Sequence, residues 1–177
     1  MSARPHYIDP GEPRFCAKCG QPMELRGRGG RERPTCPACG WVYYGKNALG
    51  AAVAIQSDDG REILLVQRAH EPLRGWWMLP AGFVEYGESA WETAVREAEE
   101  ETGLDVELTG LRGLYFGTDD PRDVAHLAVY DARIVGGQPR PGDDACAVCF
   151  FSADELPAEI AFEGQRQAIA DWKRQVS

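Results

Sequence analysis

The stretch GFVEYGESAWETAVREAEEETGL, from Gly82 to Leu104, sets four carboxylates within five residues, at Glu97, Glu99, Glu100 and Glu101. Ser89 followed three residues later by Glu92 is a capping-box pattern and Gly103 supplies a left-handed stop, so the stretch predicts a helix over Ser89–Thr102. At about 100° per residue, Ala90, Trp91, Ala94, Val95 and Ala98 share an apolar face. Glu97 and Glu101 stand nearly above one another beside that face with Glu100 close by, while Glu92 and Glu99 point to solvent. Like charges three or four residues apart cost about 0.2–0.5 kcal/mol per pair, and acidic groups near a helix C-terminus oppose the macrodipole. A solvated acidic face is the ordinary reading of such a run. Its density at a helix end instead asks for compensation from outside the helix, and a cation would supply it.

Outward from the cluster the spacing is specific. Gly82, five residues, Glu88, seven residues and then Arg96-Glu97-Ala98-Glu99-Glu100-Glu101-Thr102-Gly103-Leu104 resemble the Nudix box, G-x5-E-x7-R-E-U-x-E-E-x-G-U, at every defined position, with the small Ala98 at an apolar place. Gly75-Trp76-Trp77-Met78-Leu79-Pro80-Ala81 resembles the G-x-W-x-L-P-A/G lead-in of the same superfamily. The resemblance implies an α/β fold, an α/β/α sandwich with a mixed sheet, and hydrolysis of a pyrophosphate bond. Mg²⁺ (or Mn²⁺) is the expected catalytic ion, because a hard cation takes oxygen ligands at about 2.1 Å and keeps several waters. Glu97, Glu100 and Glu101 are the expected ligands, joined by the backbone carbonyl of Ala81. Glu88 and Arg96 are expected to pair and orient the helix, and Glu99 falls at the variable position. By the same resemblance the general base is Asp143 or Asp144, in a loop before a late strand. Related sequences often carry two glutamates there, three residues apart, where this chain has Asp144 and Ala147, so Glu100 or Glu101 stays open as the base.

The cysteines mark a second module. Cys16-x2-Cys19 and Cys36-x2-Cys39, each followed by glycine, have the two-knuckle spacing of a tetrahedral Cys₄ zinc site. Such a site has no open position for hydrolysis, so its Zn²⁺ is structural. Between the knuckles, Arg26-Gly27-Arg28-Gly29-Gly30-Arg31 is read as a glycine-rich hairpin in preference to an RNA-binding tract. The expected organisation is a zinc ribbon over residues 1–45 and a hydrolase domain over 46–177. Cys146 and Cys149 are three apart on a predicted strand, face opposite ways and are expected to be packed free thiols. His6, His70 and His126 have no ligand spacing and are assigned no chemistry.

Charge and composition limit the partners. Residues 1–45 carry 7 basic and 4 acidic groups against 12 basic and 24 acidic in the remainder. The larger part is therefore no polyanion binder, and four thiolates on Zn²⁺ would cancel most of the ribbon's excess. A small nucleotide substrate is expected, and nucleic acid and membrane are not. The longest apolar run, Ala48 through Ile55, is far short of the ~18 residues a span needs, no leader is evident, and a cytoplasmic protein with reduced thiols is expected.

Short apolar segments predict strands at Leu49–Gln56, Ile63–Arg68, Leu111–Gly117, Ala125–Ile134 and Ala147–Phe151, a hairpin turn at Asp58-Asp59-Gly60 and a second helix at Glu163–Gln175. The ribbon running through Trp41-Val42-Tyr43-Tyr44 into the box domain, with Asp154-Glu155-Leu156-Pro157 and Ala161-Phe162 downstream, resembles the zinc-ribbon Nudix pyrophosphatases. That group implies ADP-ribose or FAD as substrate, AMP as product and a homodimer. NADH pyrophosphatases and NAD-cap-removing enzymes share ribbon and box but carry an S-Q-P-W-P-F-P segment, which does not follow Leu104 here. A Nudix ligand sensor is the alternative of another class. Retired sites commonly lose box glutamates, and here all three are intact. Phe83, Tyr86, Tyr115 and Phe116 are candidate stacking residues, Arg74 and Arg112 candidate phosphate contacts, and Trp76 an extra, exposed indole.

Overall fold

The computed structural model describes residues 12–120, 124–142 and 144–176. It divides into two compact units, Met1–Lys46 and Asn47–Ser177.

In the first unit β1 (Glu24–Arg28) and β2 (Arg31–Thr35) form an antiparallel hairpin. Its two turn residues, Gly29 (φ 58°) and Gly30 (φ 77°), both sit in the left-handed region, as a type I′ turn requires, and this fixes the register Arg28↔Arg31 and Arg26↔Arg33. Two knuckles flank the hairpin with matching hydrogen bonds: Gly20 N–H to Cys16 O (2.8 Å) and Gly40 N–H to Cys36 O (3.0 Å). Among its described residues only Cys16, Pro34, Thr35 and Cys36 are buried.

The second unit runs β3 (Ala48–Ile55), β4 (Glu62–Arg68), β5 (Trp77–Met78), β6 (Ala81–Phe83), α1 (Ala90–Thr102), β7 (Leu104–Gly117), β8 (Ala125–Gly137), β9 (Ala145–Ser152) and α2 (Glu163–Val176). One sheet has the order β6-β3-β8-β7, with β3 and β8 parallel, and the other is the antiparallel β5-β4-β9. The central strands bury both faces. Ala51, Val53, Ile55, Leu64 and Val66 enter one apolar cluster with Ala94 and Ala98 of α1, while Ala52, Ala54, Ile63 and Leu65 enter another with Ala168, Ile169 and Trp172 of α2. Strands covered on both sides read as continuous apolar runs, and the helix on each face completes the α/β/α sandwich. Among the described residues no helix is long and apolar enough to cross a membrane.

Several expectations change. β7 begins at Leu104, directly after the helix stop, because Leu104, Val106 and Leu108 alternate inward against exposed Asp105 and Glu107. β5 and β6, two and three residues long, are too short to show alternation. On α1 the buried side chains are Thr93, Ala94, Ala98, Glu101 and Thr102, while Trp91 and Val95 are 59% and 38% exposed. Small alanines let the helix approach the sheet closely and carry Glu101 inward, so the bulky residues of the expected apolar stripe turn outward. Trp76 is half-buried against the first cluster rather than exposed. Cys146 and Cys149 are exposed rather than packed, because β9 is the edge of its sheet.

Candidate active site

The α1 N-terminus is set by the capping box: Ser89 Oγ accepts the Glu92 N–H, and the Glu92 carboxylate accepts the Ser89 N–H at 2.9 Å. At the other end Gly103 is the left-handed cap, its N–H bonded to Glu99 O at 2.8 Å. The following carbonyls are met by a distant loop. Gly142 N–H donates to Glu101 O (3.2 Å), Arg140 N–H to Thr102 O (2.8 Å) and Gln138 N–H to Gly103 O (3.2 Å). These donors supply part of the compensation that the acidic helix end needs.

Arg96 supplies more. Its Nε and Nη2 grip both oxygens of Glu88 at 3.0 and 3.1 Å, while Nη1 donates to Glu97 at 2.7 Å and Glu100 at 2.9 Å. One planar guanidinium thus holds three carboxylates, a task suited to a five-donor fork. Thr93 Oγ1 donates to Glu88 as well, at 2.7 Å. Arg96 and then Thr93 hold the Glu88 carboxyl down at about 2.

Glu101 lies in the opposite environment. It is 4% exposed and accepts the Ala81 N–H at 2.9 Å. Burial, reinforced by the nearby charges of Glu97 and Asp144, pushes its carboxyl up to about 8. Gly82 leaves room for Glu97, since a Cβ there would stand 1.8 Å from a Glu97 carboxylate oxygen. Buried Glu101, half-buried Glu97 and exposed Glu100 offer oxygen donors of the kind a hard divalent ion takes, although among the described residues only the four ribbon sulfurs converge within 4.8 Å of one another.

These residues line a cavity of about 590 Å³, within the usual size range of ligand sites. Ala81, Phe83, Glu88, Arg96, Glu97, Glu100, Glu101 and Asp144 all belong to its wall. Asp144 lies beside His70, 3.6 Å from its ring nitrogen, and Asp143 lies outside the described residues, as does His6. Tyr86 is fully exposed and is not part of the wall. Tyr115 packs on the α2-side cluster and donates its hydroxyl to Asp171 at 3.0 Å, and Phe116 lies against His126, ring centres 5.0 Å apart. Arg112 is committed to Asp131 and Gln175 instead of the cavity, and Arg74 is not on the wall.

Four further lining residues come from distant segments. Arg68 is anchored by Pro72 O (2.8 Å) and sits over the ring of Phe162, 5.0 Å from its centre. Phe162 itself has φ 54°, a left-handed conformation that a bulky residue adopts only where its surroundings impose it. Asp119 caps α2 from across the chain, accepting the Glu163 N–H at 2.8 Å and pairing with Arg166. His126, to which the sequence assigned no chemistry, completes the set, its Nε2 3.3 Å from Asn47 Nδ2. Only the motif Ala161-Phe162 hinted at any of them.

In the first unit the sulfurs of Cys16, Cys19, Cys36 and Cys39 lie within 4.8 Å of one another. The Cys16–Cys39 and Cys19–Cys36 separations are 3.6 and 3.5 Å, close to the edge of about 3.8 Å in a tetrahedron of Zn–S bonds. Four soft, converging sulfurs fit Zn²⁺.

Comparison with known proteins agrees with both modules. The NUDIX domain family model matches residues 46–172, and the Nudix N-terminal model residues 14–45. An ADP-ribose pyrophosphatase of Methanocaldococcus jannaschii is 39% identical over 129 residues, 71% of this chain and 75% of that protein. The NAD-capped RNA hydrolase NudC of Stutzerimonas stutzeri is 34% identical over 166 residues, 90% of this chain but 54% of its own length, so the chain spans about half of that relative. A crystal structure of a NUDIX hydrolase from Nitrosomonas europaea superposes with a TM-score of 0.79 at 28% identity, covering 92% of this chain and 91% of that one.

Proposed function

This chain belongs to the Nudix hydrolase family, and on that premise we propose that it cleaves, with Mg²⁺ or Mn²⁺, the pyrophosphate bond of a nucleoside diphosphate linked to another group, ADP-ribose or FAD, releasing AMP. The observation that carries this reading is the presence of Glu97, Glu100 and Glu101 on the wall of one cavity, the first two held by Arg96 and Glu101 buried where it accepts the Ala81 N–H.

Glu97, Glu100 and Glu101, with the Ala81 carbonyl, would hold the metal. A hard divalent ion held there would offset the diphosphate charge and make water easier to deprotonate. Arg96 and Glu88 fix the helix face so that the carboxylates need not reorganise during reaction. Arg68 adds a permanent positive charge to the wall, braced on Phe162. The attacking water loses its proton to Asp144, or to Glu100 or Glu101. Its oxygen bonds to one phosphorus while the bridging P–O bond breaks, giving two phosphate monoesters. Phe83, 41% exposed on the cavity wall, is the candidate ring for stacking the nucleobase.

A second reading is NADH pyrophosphatase or NAD-cap removal. Favouring it, similarity to NudC extends over 90% of this chain and so includes the ribbon. The missing S-Q-P-W-P-F-P segment argues the other way. Mg²⁺-dependent AMP release from ADP-ribose, FAD and NADH, measured beside Glu100→Gln and Glu101→Gln, separates the readings. Preferred turnover of NADH would replace the first with the second, and ligand binding without turnover across a broad nucleotide panel would leave a sensor.

A further inference from the structure

The hairpin of the zinc ribbon gathers arginines on one face. Residues directly opposite in an antiparallel pair share a face, as do residues two apart on one strand. The register Arg28↔Arg31 and Arg26↔Arg33 therefore sets four guanidinium groups on one side of a two-stranded ribbon, with Glu24 and Thr35 at its base. Arg26 pairs with Glu24 at 2.9 Å, whereas Arg28, Arg31 and Arg33 make no ion pair among the described residues. Like charges directly opposite one another are destabilising, and the Gly29-Gly30 turn enforces two such pairs. The two readings of the tract thus converge, because the hairpin is what builds the basic face.

We infer that this face binds single-stranded nucleic acid, with Arg26, Arg28, Arg31 and Arg33 on backbone phosphates and Tyr44 as a stacking platform. Tyr44 is 57% exposed, and the Arg33 guanidinium sits over its ring, 4.7 Å from the centre. An aromatic beside an arginine stripe is the pairing that holds a sequence-tolerant single strand. A guanidinium fork also matches phosphate better than a lysine does. An anionic lipid surface fits less well. The exposed Leu25 lies on the opposite face with Gly27, Glu32 and Pro34, so basic and apolar groups are not presented together. The face belongs to the first unit and the hydrolytic carboxylates to the second, and binding to it does not depend on which nucleotide they cut.

The test is fluorescence anisotropy of the full chain with a labelled 12-nucleotide single-stranded DNA lacking any pyrophosphate. Three or four phosphate contacts should weaken binding about thirtyfold between 50 and 200 mM salt. Arg28→Glu with Arg31→Glu should lower affinity at least tenfold and Tyr44→Ala severalfold, with zinc content and small-nucleotide hydrolysis unchanged. If the charge reversal releases zinc, Arg28→Gln with Arg31→Gln takes its place. Absence of binding at 50 mM salt, or affinity indifferent to these arginines in a zinc-loaded protein, overturns the inference. So does equal affinity for duplex with a silent Tyr44→Ala, or arginine-dependent binding to phosphatidylserine vesicles without binding to the oligonucleotide.

Discussion

The two units of this chain use ligand-bearing side chains for opposite purposes. In the ribbon, two of the four buried described residues are the cysteines Cys16 and Cys36, and neither large apolar cluster draws on it. Its sulfurs stand where a core would be, so zinc there is expected to provide the folding energy itself. The hydrolase unit has two apolar clusters, one under each helix, and its carboxylates lie at the margin of one of them. A unit with its own core can carry the electrostatic cost of a crowded acidic site, and a unit without one cannot.

The largest expected effect is on turnover. Glu101→Gln should lower kcat by roughly a hundredfold or more while the melting temperature holds or rises, since an amide is cheaper to bury than a carboxylate. Loss of folding instead would mean that the carboxylate serves the core. Cys16→Ser should have the converse profile. Zinc content falls and the ribbon loses protection from proteolysis, while hydrolysis of a small nucleotide by residues 47–177 persists. A proportionate fall in kcat would join the two units functionally and erase the contrast.

Smaller effects are expected at Arg96 and in the pH dependence. Arg96→Lys keeps the charge but loses the fork over Glu88, so the metal concentration for half-maximal activity should rise about tenfold or more. An unchanged metal titration would show that Glu97 and Glu100 hold their places without the clamp. The subtlest is pH dependence, in which Glu88 and Glu101 have opposite signs. Glu88, held at about 2, contributes stability that is complete above its ordinary 4.5 and is lost as pH falls toward 2. Glu101, raised to about 8, favours the folded state when protonated, and that contribution is lost as pH rises from 4.5 through 8. Melting temperatures without divalent metal should therefore drop between pH 4.5 and 8. Mg²⁺ should restore more at pH 8 than at pH 5, and Glu101→Gln should flatten the drop.

Legibility in the sequence followed the range of the interactions. Ser89, Glu92 and Gly103 mark the ends of α1 because caps act over three or four residues, and both cysteine knuckles repeat one short pattern. β5 and β6 passed unseen because two or three residues carry no period, and the first half of β7 because an acidic alternation hid its inward Leu104, Val106 and Leu108. Asp119, His126 and Phe162 reach one cavity from separate loops and strands, with no shared local signal. Trp91 and Val95 failed for another reason. A helical wheel ranks hydrophobicity, but close packing on a sheet selected the small face of Ala94 and Ala98.

Local patterns in the chain specify an inventory: a helix ending in glutamates at fixed spacing, a paired set of four cysteines, and strands apolar enough to be covered on both sides. All of these rest on periodicity and caps, which operate within one turn or one hairpin. How equivalent residues diverge is set by long-range packing. Arg96 and Thr93 hold Glu88 ionised while burial resists the charge on Glu101. Arg68 lines the cavity while Arg112 is spent on Asp131. The strand register turns four scattered arginines into one face. Solvation and charge pairing depend on neighbours distant in the chain, and those neighbours exist only once the chain has folded.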